Sequence, residues 1–261
     1  MKVRCPDGSE VSADECIECS KCYPKPIIKM LLAGRNRKRK KRAKPRYGVT
    51  RLVGGCLRKT YYDLTEEVVF PLEKMWIFNR GTAIHEFVQK DMPKEDIEIF
   101  MEKSFSTFGV IGFVDAIHAG AMYEFKTTAN IPDTPQEAHT LQAQAYYSML
   151  PEDKQARVKE ILIIYFSMSK IRVYKVVPRN VLPMLEAKGT ILTNAIKLGV
   201  APRMEESYIC RYCDHKDICH GQKPATYDPN KVDEEPIPEP KNIPKPVEVK
   251  PKSSGLNPFF K

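Results

Sequence analysis

The clearest strand pattern of apolar and polar positions lies over residues 109–128, GVIGFVDAIHAGAMYEFKTT. Two runs rich in Val, Ile, Phe and Tyr flank the small residues Ala119, Gly120 and Ala121, the pattern of two paired strands joined by a tight turn. Around this hairpin, helical spacing predicts one helix over 47–64 with Thr50 as cap. A second is predicted over 76–90, with Asn79 as cap and Ile84, Phe87 and Val88 on its inward stripe. Residues 97–108 read as the strand before the hairpin and 134–150 as a helix behind it. Residues 158–166 and 170–177 read as another β pair, and 178–198 as a covering helix with Pro183 near its first turn. The order predicts helices around a small mixed sheet. After Gly221 the pattern stops: residues 222–252 are mainly Pro, Lys and Glu with little to bury, and predict a disordered tether. The last residues, SSGLNPFFK, place Leu256, Phe259 and Phe260 in one apolar plug if they form a 3₁₀ turn, which points to a partner.

The 261 residues are enough for one large domain with appendages, and a formal charge of +9 favours a polyanionic partner. There is no stretch of about 18 uncharged apolar residues and no apolar signal-peptide core, so a soluble, cytoplasmic protein without membrane contact is expected. Nine of the twelve residues 35–46 are basic, among them Arg37, Lys38, Arg39, Lys40, Lys41 and Arg42. Such a block repels itself and suits a mobile arm that neutralises phosphates, although a solvated face or a nuclear-targeting signal has the same composition. Eight cysteines in that compartment point to metal rather than disulfides.

The chemistry concentrates on the hairpin. Glu124 and Lys126, two apart on one strand, share a face, and Asp115 stands near the end of the other strand. Two carboxylates this close repel unless a cation joins them, and oxygen ligands of this kind suit Mg²⁺ or Mn²⁺. The cysteines fall into two groups. Cys5, Cys16, Cys19 and Cys22 could fold around one Zn²⁺ as a small knuckle, or stand as a reduced segment that binds nothing. Cys56 stands alone until Cys210, Cys213 and Cys219 appear in CRYCDHKDIC. Four thiolates suit an iron–sulfur cluster, and spacing alone leaves zinc open.

Four motifs follow one another in order: Gly81-x-x-x-His85, Gly112-x-x-Asp115, Glu124-x-Lys126 and Gln142-x-x-x-Tyr146. Together they resemble the RecB-type nucleases of the PD-(D/E)XK superfamily. The resemblance implies a restriction-endonuclease-like α/β core over residues 47–221. It implies that His85, Asp115, Glu124 and the main-chain carbonyl of Phe125 hold one or two divalent ions, that Lys126 orients the attacking water, and that Gln142 and Tyr146 position the strand. The second cysteine group resembles that of the iron–sulfur members, both CRISPR-associated enzymes and replication helicase-nucleases, which implies a [4Fe–4S] cluster closing the domain. The terminal peptide resembles those that bind the archaeal and eukaryotic (PCNA-type) sliding clamp, with Ser253 where glutamine is usual.

The expected organisation is a cysteine module (1–34), a basic arm (35–46), the nuclease domain (47–221), a linker (222–252) and a clamp-binding peptide (253–261). The expected activity is metal-dependent hydrolysis of DNA, by an exonuclease acting on single strands, ends or flaps in replication and repair, in a nucleoid-associated setting. Trimming of spacer precursors in CRISPR adaptation is the alternative within this class. A non-catalytic DNA-binding adaptor tethered to the clamp is the alternative outside it.

Overall fold

The computed structural model describes residues 2–19, 21–33, 44–67, 69–206, 210–211 and 213–221, all within one compact unit, Met1–Gln222. The basic residues Arg37 to Arg42, the linker 222–252 and the clamp-peptide residues Ser253, Leu256, Phe259 and Phe260 lie outside the described residues. Two short strands, β1 (Lys2–Arg4) and β2 (Glu10–Ser12), precede α1 (Ala13–Cys19) and α2 (Lys25–Leu32). Then come β3 (Arg46–Gly48), α3 (Val49–Val53), α4 (Leu57–Thr65), β4 (Val69–Pro71) and α5 (Leu72–Gln89). The hairpin region is β5 (Ile97–Ser104), β6 (Gly109–His118) and β7 (Ala121–Thr127). It is followed by α6 (Glu137–Met149), α7 (Glu152–Gln155), β8 (Glu160–Phe166), β9 (Ile171–Val176), α8 (Leu182–Leu198) and α9 (Lys216–Gly221).

The main sheet runs β3-β6-β7-β8-β9, with β5 paired to β6, and is mixed: β3 joins β6 and β8 joins β7 in parallel, the other pairs being antiparallel. Alternation decides its two faces. Ile161, Ile163 and Tyr165 of β8 are fully buried, in one core with Ala143, Ala145 and Tyr146 of α6 and Leu185 and Leu192 of α8. Burying side chains of this size stabilises the core by about 2 kcal/mol each.

One feature of the sheet positions the site. Along one edge of β6, β5 pairs from Gly109 to Ala116. The other edge is divided, because β3 pairs only with Gly109–Ile111 and β7 only with Ala116–His118. The hairpin strands therefore splay apart just beyond Ala116, where Asp115 and Glu124 stand. A regular two-stranded ladder would have left no room between them.

A second, smaller core joins Val3, Cys16, Ile28, Leu31 and Leu32 to Leu72 and Met75 at the start of α5. Here β1 pairs with β2 and, in parallel, with β4. The N-terminal segment is thus packed onto the base of the helix that carries His85.

Three local expectations are corrected. The helix expected over 47–64 is interrupted at Gly54 and Gly55, the latter at φ 99°, and restarts with Cys56 as N-cap of α4. Asn79 is not a cap but lies inside α5, which starts behind Pro71; its amide donates to the carbonyls of Met30 and Leu31 at 3.0 and 3.2 Å and closes the end of α2. Phe87 is not inward: it is 76% exposed, because His85, two residues earlier, takes the side of α5 that faces the sheet. Among the described residues no helix is long and apolar enough to cross a membrane.

Candidate active site

Glu124 and Lys126 of β7 point towards α6, as their two-residue spacing requires. Lys126 Nζ donates to Glu124 Oε1 at 2.6 Å and to Gln142 Oε1 at 2.9 Å. Gln142 then donates through Nε2 to the Tyr146 hydroxyl at 3.0 Å. Burial pushes the Tyr146 hydroxyl far above its ordinary range, so it stays protonated and acts as a fixed dipole rather than a base. Gly112 makes this chain possible, since a Cβ there would stand 2.4 Å from Cε1 of the Tyr146 ring.

Phe125, between Glu124 and Lys126, projects from the opposite face, where α5 lies. The His85 ring meets the Phe125 ring edge-on at 5.8 Å, and His85 Nε2 lies 3.1 Å from the Phe125 carbonyl oxygen. His85 Nδ1 stands 3.5 Å from Asp115 Oδ1, while Asp115 Oδ2 accepts the main-chain N–H of Phe125 at 2.6 Å. Gly81, one turn before His85, faces the same strand beside Thr127. The predicted residues His85, Asp115, Glu124, Phe125, Lys126, Gln142 and Tyr146 are therefore all brought to the opening between β6 and β7.

The carboxylates are poised for a cation. Burial raises Asp115 to about 6, against the Phe125 N–H and Lys126, with Glu98 adding to the rise. Burial likewise raises Glu124 to about 7, with Lys126 opposing and Asp115 reinforcing. Glu124 Oε2 is buried and has no hydrogen-bond partner, which is costly for an acceptor unless a cation completes it. The donor set, carboxylates with one imidazole and one carbonyl, fits Mg²⁺ or Mn²⁺.

One member was not foreseen. Among the described residues the group whose ligand atoms all lie within 4.8 Å of one another is His85, Glu98 and Asp115, not the set with Glu124. Glu98 falls opposite Asp115 in the β5–β6 register, between the pairs Ile97–Ala116 and Ile99–Val114. Its backbone is left-handed, φ 47°, a conformation rare for a residue with a Cβ. Buried Gln89 holds this rung by donating to Glu98 Oε1 at 3.2 Å and to the Asp115 carbonyl at 2.7 Å. His85, Glu86, Gln89, Lys90, Lys94, Glu98 and Asp115 line a cleft of about 680 Å³ that opens the site to solvent.

The cysteines of each group lie near one another, but among the described residues neither group brings three sulfur atoms within 4.8 Å of one another. Burial raises the Cys16 thiol, with Cys5, Cys19 and Cys22 adding to the rise. Cys56, Cys210, Cys213 and Cys219 line a single pocket with Tyr62 and His215. Cys56 Sγ accepts the Lys59 N–H at 3.4 Å, and His215 Nε2 bonds Asp63 of α4 at 2.8 Å, so α4 and the C-terminal segment meet at this pocket.

Comparison with known proteins adds a family and a fold. The model for the PD-(D/E)XK nuclease superfamily matches residues 60–220. The crystal structure of SSO0001 is similar over 74% of this chain and 93% of that one, at 16% identity and a TM-score of 0.52, which is a likeness of fold. A "Putative exonuclease" from Eubacterium rectale matches over 83% of this chain and 85% of its own at 13% identity, with a TM-score of 0.32. No curated protein sequence matches the chain.

Proposed function

The chain belongs to the PD-(D/E)XK nuclease superfamily, and from that premise we propose that it is a divalent-metal-dependent deoxyribonuclease of the RecB type. The observation that carries the reading is the buried, unpartnered Glu124 Oε2 beside Asp115 and His85 at the splayed end of the hairpin. His85, Asp115, Glu124 and the Phe125 carbonyl would hold Mg²⁺ or Mn²⁺, with Glu98 as a further carboxylate on the cleft side. Bound there, the cation supplies an acidified water and offsets charge on the scissile phosphate.

The protein's own groups do the rest. Lys126, fixed by Glu124 and Gln142, presents an ammonium to the attacked phosphate and to the incoming water. Gln142 is itself held, because its other end donates to the Tyr146 hydroxyl. Lys90 and Lys94 line the approach and favour a polyanion.

The test is cleavage of end-labelled single-stranded and duplex DNA with Mg²⁺, Mn²⁺ or EDTA, beside Lys126→Ala. Metal-dependent cleavage lost in the variant is the expected result, and the label lost first gives the polarity. Tight binding without cleavage under every metal would instead support the adaptor reading.

Two further assignments accompany this one. Cys56, Cys210, Cys213 and Cys219 are proposed to hold a [4Fe–4S] cluster, supported by their shared pocket and their distance in sequence; its role is to clip α4 to the C-terminal segment. Cys5, Cys16, Cys19 and Cys22 are proposed as a zinc site because the other three thiols all act on that of Cys16, although zinc would have to draw their sulfur atoms closer together. Action in replication or repair through a sliding clamp rests on the sequence of the terminal peptide, Ser253 to Lys261.

A further inference from the structure

Phe100 and Phe113 are half exposed, at 50% and 49%, yet they are cross-strand partners in the middle of β5 and β6. Their rings lie 5.3 Å apart between centroids, tilted by 54°. The residue before Phe113, Gly112, faces α6 through the Tyr146 ring, and its partner Met101 is buried in the same core. The two phenylalanines must therefore project from the other face of the sheet, the one from which Phe125 meets His85. They also sit two residues from the metal-site carboxylates, since Phe113 precedes Asp115 and Phe100 follows Glu98. Two strand residues span about 6.6 Å, roughly one nucleotide of an extended single strand. Glu98 and Asp115, on the same two strands, line the cleft together with Lys90 and Lys94.

We infer that Phe100 and Phe113 are a stacking platform for an unpaired base about one nucleotide from the scissile phosphate, and that they select single-stranded nucleic acid. This rests on the nuclease reading above. A base inside a duplex has both faces covered by its neighbours and cannot lie on the rings, whereas an unpaired base offers a free face whatever its identity. Stacking on an aromatic side chain strengthens binding by about tenfold or more per base. Each ring also limits the motion of the other, so the platform is formed before the strand arrives.

The experiment uses the full-length protein, wild type and Phe100→Leu/Phe113→Leu, in EDTA so that no cleavage occurs. Single strands carrying 2-aminopurine at successive positions from one end are titrated, alongside the matching duplex and a strand abasic at the responding position. In the wild type, fluorescence should be quenched at one position. The double variant should lose that quenching and about tenfold in single-strand affinity, with no change for the duplex or the abasic strand. Phe100→Trp should retain both properties. Unchanged quenching and affinity in the double variant, or an equal loss for the abasic strand, would overturn the platform and leave the pair as sheet packing only. A wild type that cleaves under no metal would defeat the nuclease reading, and the quenching result would still decide this one.

Discussion

Asp115 accepts the main-chain N–H of Phe125 at 2.6 Å with one carboxylate oxygen while the other faces His85 at 3.5 Å. The first contact replaces the ladder hydrogen bond that the splayed hairpin lacks, and the second oxygen is the one proposed to meet the cation. Asn can keep the first and not the charge. Asp115→Asn should therefore fold with a melting temperature within a few degrees of wild type while cleavage falls by about 10²-fold or more. Asp115→Ala should lose both, and a fluorescence melt run beside the cleavage assay separates the two effects.

Stability without metal should depend on pH through this pair. Burial holds Asp115 at about 6 and Glu124 at about 7, above ordinary carboxylates, so the folded protein retains these protons more tightly than the unfolded chain. The contribution is complete below about pH 4 and is lost as pH rises through about 6 to 7, amounting to a few kcal/mol at about 1.4 kcal/mol per pKa unit. The melting temperature in EDTA should fall between about pH 5 and pH 8, and Glu124→Gln should flatten that slope. Mn²⁺ should stabilise the wild type more at the upper pH than at the lower. Identical profiles in wild type and variant would remove these carboxylates from the explanation.

Glu98 pairs strain with position. Its left-handed backbone disfavours any residue with a Cβ by about 1 kcal/mol, which glycine relieves. Glu98→Gly should match or exceed wild-type stability yet bind Mn²⁺ about tenfold more weakly, measured by calorimetry. Glu98→Gln keeps the strain and loses the charge, and should weaken Mn²⁺ binding without the gain in stability. Wild-type affinity in both variants would exclude Glu98 from the site.

Gly112 and Tyr146 are coupled by shape. A Cβ on residue 112 would meet the Tyr146 ring at 2.4 Å and Val49 at 3.3 Å, and both lie in the main core. Gly112→Ala should destabilise by about 1–3 kcal/mol. It should also slow cleavage, because a displaced Tyr146 frees Gln142 and hence Lys126. Tyr146→Ala removes the obstruction, so the double variant should be more stable than the sum of the two single losses predicts, which a denaturation cycle measures.

Most of this site was legible because its residues obey short periods. Glu124 and Lys126 are two apart on a strand, and Gln142 and Tyr146 four apart on a helix, so the geometry follows once the elements are placed. Glu98 was not legible, because in the run EDIEIFMEK it is one carboxylate among several. Only the register with β6 and a left-handed backbone bring it to Asp115, and neither has a local signature. Asn79 misled for a related reason: an amide that resembles a helix start serves a different helix, across 49 positions of sequence to Met30. The three-residue strands β3 and β4 carry too few residues to show alternation, although β3 is what holds the hairpin open.

The two cysteine groups should separate on substitution. Cys213 lines the pocket shared with Cys56, Cys210 and Cys219, where α4 meets the C-terminal segment. If that pocket holds an iron–sulfur cluster, protein purified without oxygen should be brown, and Cys213→Ser should lose both the visible absorbance and several degrees of melting temperature. Cys19 belongs to the N-terminal group and is exposed. Cys19→Ser should leave the colour intact and reduce only the zinc content. Iron and zinc measured together by elemental analysis distinguish the assignments, since zinc at both sites would give a colourless protein with no iron. In that case the second group would still clip α4 to the chain end, because tetrahedral zinc can also join four thiolates from distant segments, but the iron–sulfur assignment would fall.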